Sequence, residues 1–124
     1  MWSFRSLTFI DAIGWHGLEE SDLDRALARG ENPFEVTTGE EFDDSWYWIM
    51  KTPPDIPGPV MLHLRDERIS ANDHILAIKE VYEAHRFGLD GRLEEISHPL
   101  HAVWCVDDRM AHVSQVDVLE QQTT

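Results

Sequence analysis

Cysteine is nearly absent from this chain, which holds Cys105 and no other. A single thiol closes no internal disulfide, so the disulfide-stapled secreted folds are excluded, and every paired Cys-x-x-Cys metal element goes with them. Basic residues are also few, ten against 24 acidic ones. They are scattered, with no patch to neutralise phosphates, which excludes direct nucleic-acid binding. No apolar run approaches the ~20 residues that a bilayer span requires. Residues 1–12 include Arg5 and Asp11 and lack the unbroken apolar stretch of a signal peptide. These absences lead to the expectation of a cytoplasmic protein that does not associate with membranes. A nucleophile elbow, a phosphate loop, a dinucleotide fingerprint and a His-Glu-x-x-His run are missing as well, so no cofactor is expected. Gly14-Trp15-His16-Gly17 and Leu89-Asp90-Gly91 read as turns, and there is no internal repeat.

What the chain does have is acid. Its 124 residues carry a formal net charge of −14, and residues 11–50 alone hold eleven Asp and Glu against Arg25 and Arg29. Charge of this density repels itself in the compact state and suits a surface that attracts something basic. Hydrophobic residues nevertheless make up 42%, with five Trp and five Phe, so the acidity is not that of a disordered tail. A chain of this length buries roughly two thirds of its unfolded surface and fits one domain.

The spacing of residues predicts an α+β fold. Phe4 to Ile10 has the β-branched and aromatic content of a strand. Ser21 caps a short helix over about 22–29, with Asp24 completing a capping box and Gly30 ending it. Residues 30–44 read as loop, with Phe34 to Thr38 as an optional short strand. Ser45 to Lys51 and Val60 to Leu64 read as strands, separated by the proline-rich loop 52–59. Ile75, Ile78, Tyr82 and His85 recur at helical spacing and predict a long amphipathic helix over about 72–87. His101 to Val106 reads as a strand apolar on both faces, turned by Asp107 and Asp108 into a last strand from Arg109 to Leu119. The expectation is a single α+β domain over 1–124, mainly an antiparallel sheet, with a polar tail at 121–124.

Seven histidines raise the question of a metal. His98, His101 and Cys105 are ligand types that suit zinc, but Pro99 and the following strand keep them off one helical face, so no metal site is expected. Cys105 as a nucleophile activated by His101 or His112 is disfavoured because apolar surroundings suppress the thiolate. Adjacent acids such as Asp43 and Asp44 read as solvated surface, and His74 and His85 as structural.

The densest acidic cluster, Glu40, Glu41, Asp43 and Asp44, stands beside Trp46 and Trp48. Aromatic anchors ringed by carboxylates suit an interface, because Trp dominates binding energy while charge sets encounter rate and partner choice. Glu19, Glu20 and Asp22 form a second acidic group. The composition is similar to that of small acidic inhibitors: immunity proteins and antitoxins that neutralise nuclease toxins, and phage anti-defence proteins of the anti-CRISPR or DNA-mimic kind. The expectation is therefore a non-enzymatic binding protein that occludes a basic, nucleic-acid-handling partner. The rival is a small enzyme or ligand-binding domain whose pocket is lined by Trp, His and carboxylates, with or without a metal.

Overall fold

A computed structural model describes residues 5–123. Five α-helices and one pair of short strands account for the regular structure of these residues. In chain order they are β1 (Leu7–Ile10), α1 (Asp22–Ala28), α2 (Gly39–Ile49), α3 (Gly58–Ser70), α4 (Asn72–His85), a 3-10 turn at Leu93–Glu95, β2 (Leu100–Val103) and α5 (Ser114–Gln122). The expected mainly antiparallel sheet is not formed. β1 and β2 pair in parallel, in the register Leu7 to Leu100 through Ile10 to Val103. Phe4, at the start of the expected first strand, lies outside the described residues. The chain divides into two compact units, residues 1–25 with 85–124, and residues 26–84.

Two of the expected strands are helices for reasons visible in their flanks. Thr38 Oγ1 accepts the Glu41 N–H at 3.2 Å, and Glu41 Oε2 accepts the Thr38 N–H at 3.0 Å, the reciprocal pair of a capping box. This box nucleates α2 upstream of the aromatic run. Phe42 and Trp46, four residues apart, then meet edge to face with ring centroids 5.9 Å apart on one helix face. The aromatic content of Ser45–Lys51 therefore serves a helix, not a strand. α3 begins at the proline run itself. Pro59 stands in its first turn, where a missing N–H costs nothing, so the alternation of Val60, Leu62 and Leu64 is part of a thirteen-residue helix. The region from Arg109 to Leu119 likewise enters α5 in place of a last strand.

The predicted helices are present with their ends moved. α1 is capped by Ser21: its Oγ accepts the Asp24 N–H at 3.0 Å, while Asp24 Oδ2 accepts the Ser21 N–H at 2.9 Å. Gly30, at φ +80°, ends it with its N–H on Leu27 O at 3.0 Å, a conformation that favours glycine. α4 stops at His85, two residues short of expectation, and only Ala71 separates it from α3. The short strand allowed at 34–38 is irregular; Val36 there is buried, its N–H held by Asn72 Oδ1 at 2.8 Å.

In the first unit the core is built on Trp15, Leu93 and Leu119, with Phe9, Leu89, Ile96, Leu100, Trp104 and Val118 packed around them. Trp15 is 1% exposed. Its Nε1–H donates to Gln115 O at 2.8 Å, and Gln115 Nε2 donates back to Trp15 O. The turn after β1 is thereby locked to the start of α5. Asp24 also pairs with Arg86 across this unit. Burial raises the Asp24 pKa, but the Ser21 hydrogen bonds and the Arg86 charge outweigh it and hold the carboxyl below its ordinary value.

Trp15→Ala is expected to lower stability by about 3–5 kcal/mol, the range for deleting a buried large aromatic, as measured by urea denaturation. A lowered folded-state pKa means that the unfolded chain takes up the proton first as pH falls. Asp24 therefore stabilises the fold above the unfolded carboxylate pKa, and the effect is lost as pH drops through the folded value. The Tm advantage of the wild type over Asp24→Asn at pH 7 is expected to shrink as pH falls below the ordinary carboxylate range.

Candidate functional site at the carboxyl ends of the parallel strands

Parallel pairing puts the outgoing ends of β1 and β2 side by side, so the loops that leave them start from one edge. Asp11 follows β1 at φ 41°, a left-handed conformation uncommon for a residue with a side chain. Its N–H donates to Val103 O at 3.0 Å, and its Oδ1 accepts the Cys105 N–H at 2.6 Å. The carboxylate of the first loop thus holds the backbone of the second. That second loop turns at once, with the Asp108 N–H on Cys105 O at 3.1 Å. Asp108 Oδ1 then accepts the N–H groups of Met110 at 2.7 Å and Ala111 at 3.0 Å. Its Oδ2 takes no part in these bonds. Trp104 supports the loop from beneath, donating Nε1–H to Ala111 O at 2.9 Å. The outcome is a half-buried carboxylate, fixed through one oxygen, just beyond the carboxyl end of a parallel strand.

Cys105 belongs to this loop, past the end of β2, and is exposed. The expected burial in an apolar strand is corrected because the strand stops at Val103. His98, His101 and Cys105 are not gathered. Among the described residues no group of three His, Cys, Asp or Glu is placed to hold a metal ion.

Two histidine pairs stand out in the same unit. His16 Nδ1 bonds Asp90, whose Oδ1 also accepts the His16 N–H at 2.8 Å, and the imidazole stacks on Phe87 at 3.4 Å between centroids. With Leu89 N–H on Gly14 O at 2.8 Å, these bonds close the 14–17 turn onto the 87–91 turn. His112 Nδ1 lies 2.8 Å from Ser114 Oγ and accepts the Ser114 N–H at 3.2 Å. A serine hydroxyl on an imidazole is the geometry of an activated nucleophile. Ser114, however, is 4% exposed, its Oγ accepts the Glu19 N–H at 3.0 Å, and a Cβ added at Gly17 would lie 2.6 Å from that oxygen. No substrate carbonyl fits against it, so the pair locks the start of α5.

The acidic residues singled out in the sequence fall into two separate units. Glu40, Glu41, Asp43 and Asp44 occupy the first half of α2, followed by half-buried Trp46 and Trp48. Trp46 Nε1 is buried without an acceptor. Glu41 is engaged locally: the N–H and hydroxyl of Thr37 and the N–H of Thr38 bond its carboxylate and lower its pKa. Glu19, Glu20 and Asp22 lie at the entry to α1. Asp22 bridges Arg109 at 2.9 Å and Arg25 at 2.6 Å, and those two guanidiniums hold its carboxyl below the ordinary range. Arg25 also donates to Glu20 O at 2.6 Å. The residues that sequence reading missed are Asp11 and Asp108, the latter taken for a turn residue. The signal present was an apolar strand running straight into Asp107-Asp108.

In open sheets of parallel strands, ligands bind outside the carboxyl ends of the strands, which is the edge from which these two loops leave. No protein-family model matches the chain, and no curated protein is similar to it. Among solved structures it is similar to the crystal structure of a membrane phospholipase A, described as a novel bacterial virulence factor, with a TM-score of 0.87 and 28% sequence identity over 96% of this chain. The chain spans 38% of the length of that protein's chain. This likeness overturns the expectation of a non-enzymatic inhibitor, whether immunity protein, antitoxin, anti-CRISPR protein or DNA mimic. The rival reading, an enzyme, fits the finding better. Of the acids that suggested an inhibitor, Glu41 caps α2 and Asp22 pairs with two arginines instead.

Native Cys105 is expected to react with a disulfide reagent within about tenfold of its rate in the unfolded chain, because exposure and not burial governs access. Labelling that waits for unfolding would show that the 104–108 loop is covered.

Proposed function

We propose that this chain is part of a lipolytic acyl-ester hydrolase and that it contributes Asp108 as the carboxylate that orients the catalytic base. The observation that carries this reading is the likeness to a phospholipase A over 96% of the chain. Cleaving a carboxylic ester through an acyl-enzyme takes a nucleophile, a histidine base, a carboxylate that holds the imidazole in one tautomer, and donors for the oxyanion. In hydrolases built on parallel sheets, these groups follow one another as Ser, Asp, His and sit beyond the carboxyl ends of strands.

Asp108 suits the middle role. Two backbone N–H groups fix Oδ1, so the carboxylate does not swing, and Oδ2 is left to accept an imidazole N–H. Asp11 braces the same loop through the Cys105 N–H. Ser114 is buried against Gly17, with its Oγ taken up by the Glu19 N–H, and so does not serve as a nucleophile with His112 as its base. In this reading the nucleophile and the base lie in polypeptide other than these 124 residues, in keeping with the 38% of the phospholipase chain that this one spans. The exposed Ile10 and Val103 at the ends of β1 and β2 are consistent with that, since parallel strands are ordinarily covered on both faces.

The test is a hybrid in which this chain replaces the matching segment of the membrane phospholipase A. Release of fatty acid from phospholipid is expected, and Asp108→Asn is expected to lower kcat by about 10³–10⁴ with Tm unchanged. A folded, active hybrid indifferent to Asp108→Asn would remove the assigned role. Ester hydrolysis by the isolated chain, abolished by Ser114→Ala, would move the catalytic centre to the Ser114 and His112 pair.

A further inference from the structure

The loop after β2 is held at Cys105 by Asp11 and at Ala111 by the Trp104 indole, and between these two points it is held again from the entry to α1. The residue gripped there is Arg109, directly after Asp108. Its Nε donates to Asp22 Oδ2 at 2.9 Å, and its backbone carbonyl accepts the Leu23 N–H at 3.0 Å. Asp22 and Leu23 are the first two residues of α1, whose start is fixed by the Ser21 and Asp24 capping box and by the pairing of Asp24 with Arg86. The Leu23 bond bears on Asp108 through a single peptide plane. A trans peptide points its C=O and its N–H in opposite directions, and among the described residues no peptide is cis. The peptide joining Arg109 to Met110 therefore gives its carbonyl to α1 and its N–H to Asp108 Oδ1, the latter at 2.7 Å. Holding the carbonyl aims the N–H.

The Asp22 bond restrains the same residue through its side chain, so backbone and side chain of Arg109 are both tied to α1. The hydrogen bond from Arg109 is the largest of the effects that hold the Asp22 carboxyl below its ordinary range, ahead of the bond from Arg25. Stability does not account for the pair. The Arg109 and Asp22 side chains are 41% and 42% exposed, and an ion pair that open to water contributes little to folding. What it fixes is a place. We infer that Asp22 and Arg109 are positioning residues: through the Arg109–Met110 peptide, the entry to α1 sets the direction of the Asp108 carboxylate. This inference rests on the lipolytic reading and adds to it the groups that hold that carboxylate for its imidazole.

The first readout is amide hydrogen exchange of the full chain at Met110 and Ala111, whose N–H groups report whether Asp108 Oδ1 is in place. Both are expected to exchange about tenfold or more slowly than in the unfolded chain, and Asp108→Ala is expected to abolish that protection. Asp22→Ala and Arg109→Met are each expected to remove most of it, and their combination no more than either alone, as for two halves of one interaction. Arg109→Lys, which keeps the charge, is expected to retain part. In the hybrid, Arg109→Met is expected to lower kcat about tenfold with KM unchanged, because the carboxylate acts on the imidazole and not on the substrate. In an Asp108→Asn background the same change is expected to have no further effect. Asp108→Asn itself keeps an accepting oxygen, so it is expected to leave both amides protected while removing turnover. Failure of the hydrolase role and failure of the positioning are thereby told apart. The inference is overturned if the Met110 and Ala111 amides exchange freely in the folded wild type, or if Arg109→Met leaves them unchanged. It is equally overturned if Arg109→Met speeds exchange at Leu119 in α5 to the same degree, which would make the pair a general stabiliser.

Discussion

The parallel pairing of Leu7–Ile10 with Leu100–Val103 is the constraint on which the candidate site depends. It joins segments more than ninety residues apart in sequence and sets the loops that leave both strands next to each other. A pairing of so few residues is weak by itself, since parallel ladders draw their stability from what covers them. Here the cover on one side is the Trp15 core. Trp15 touches Phe9 of β1 and Trp104 just past β2, with ring centroids 5.5 and 5.9 Å away. Its reciprocal bonds with Gln115 bring α5 into the same cluster. Removing that tryptophan removes the common support of both loops.

Acidity, the dominant property of the composition, is used more locally than its density suggests. Glu41 and Asp24 close capping boxes, Asp22 bridges two arginines, Asp90 holds the His16 turn and Asp11 holds the loop after β2. Each of these carboxylates answers a backbone N–H or a cation within a few ångströms. A summed charge does not distinguish them from the exposed Glu40, Asp43 and Asp44, which leave the surface strongly acidic. The reading of an inhibitor rested on that sum. The likeness to a phospholipase A rests on where the backbone goes, and Asp108 is set apart by its position and not by charge density.

Local periodicity located α1 and α4, because a capping box and a 3.6-residue apolar stripe are short-range patterns that survive any tertiary context. It failed for α2 and α3. Trp46 to Met50 and Val60 to Leu64 are short apolar runs, and such runs suit a strand and a buried helix alike. The arbitrating signals were present: Thr38-x-x-Glu41 ahead of one, Pro59 in the first turn of the other. The site was less legible. Asp107 and Asp108 were seen as a turn, which they make, but nothing local says that the strand before them pairs with the segment ending at Asp11.

By itself the sequence determined a folded chain with a core, a thiol without an intrachain partner, a strongly negative surface and the positions of two helices, since all of these follow from composition and from interactions within a few residues. Tertiary structure alone decided the parallel partner of each strand, the exposure of Cys105, the inaccessibility of Ser114 and the fixed carboxylate of Asp108. Each of those depends on contacts between residues far apart in the chain, such as Asp11 with Cys105 and Trp15 with Gln115, whose energies no local pattern encodes.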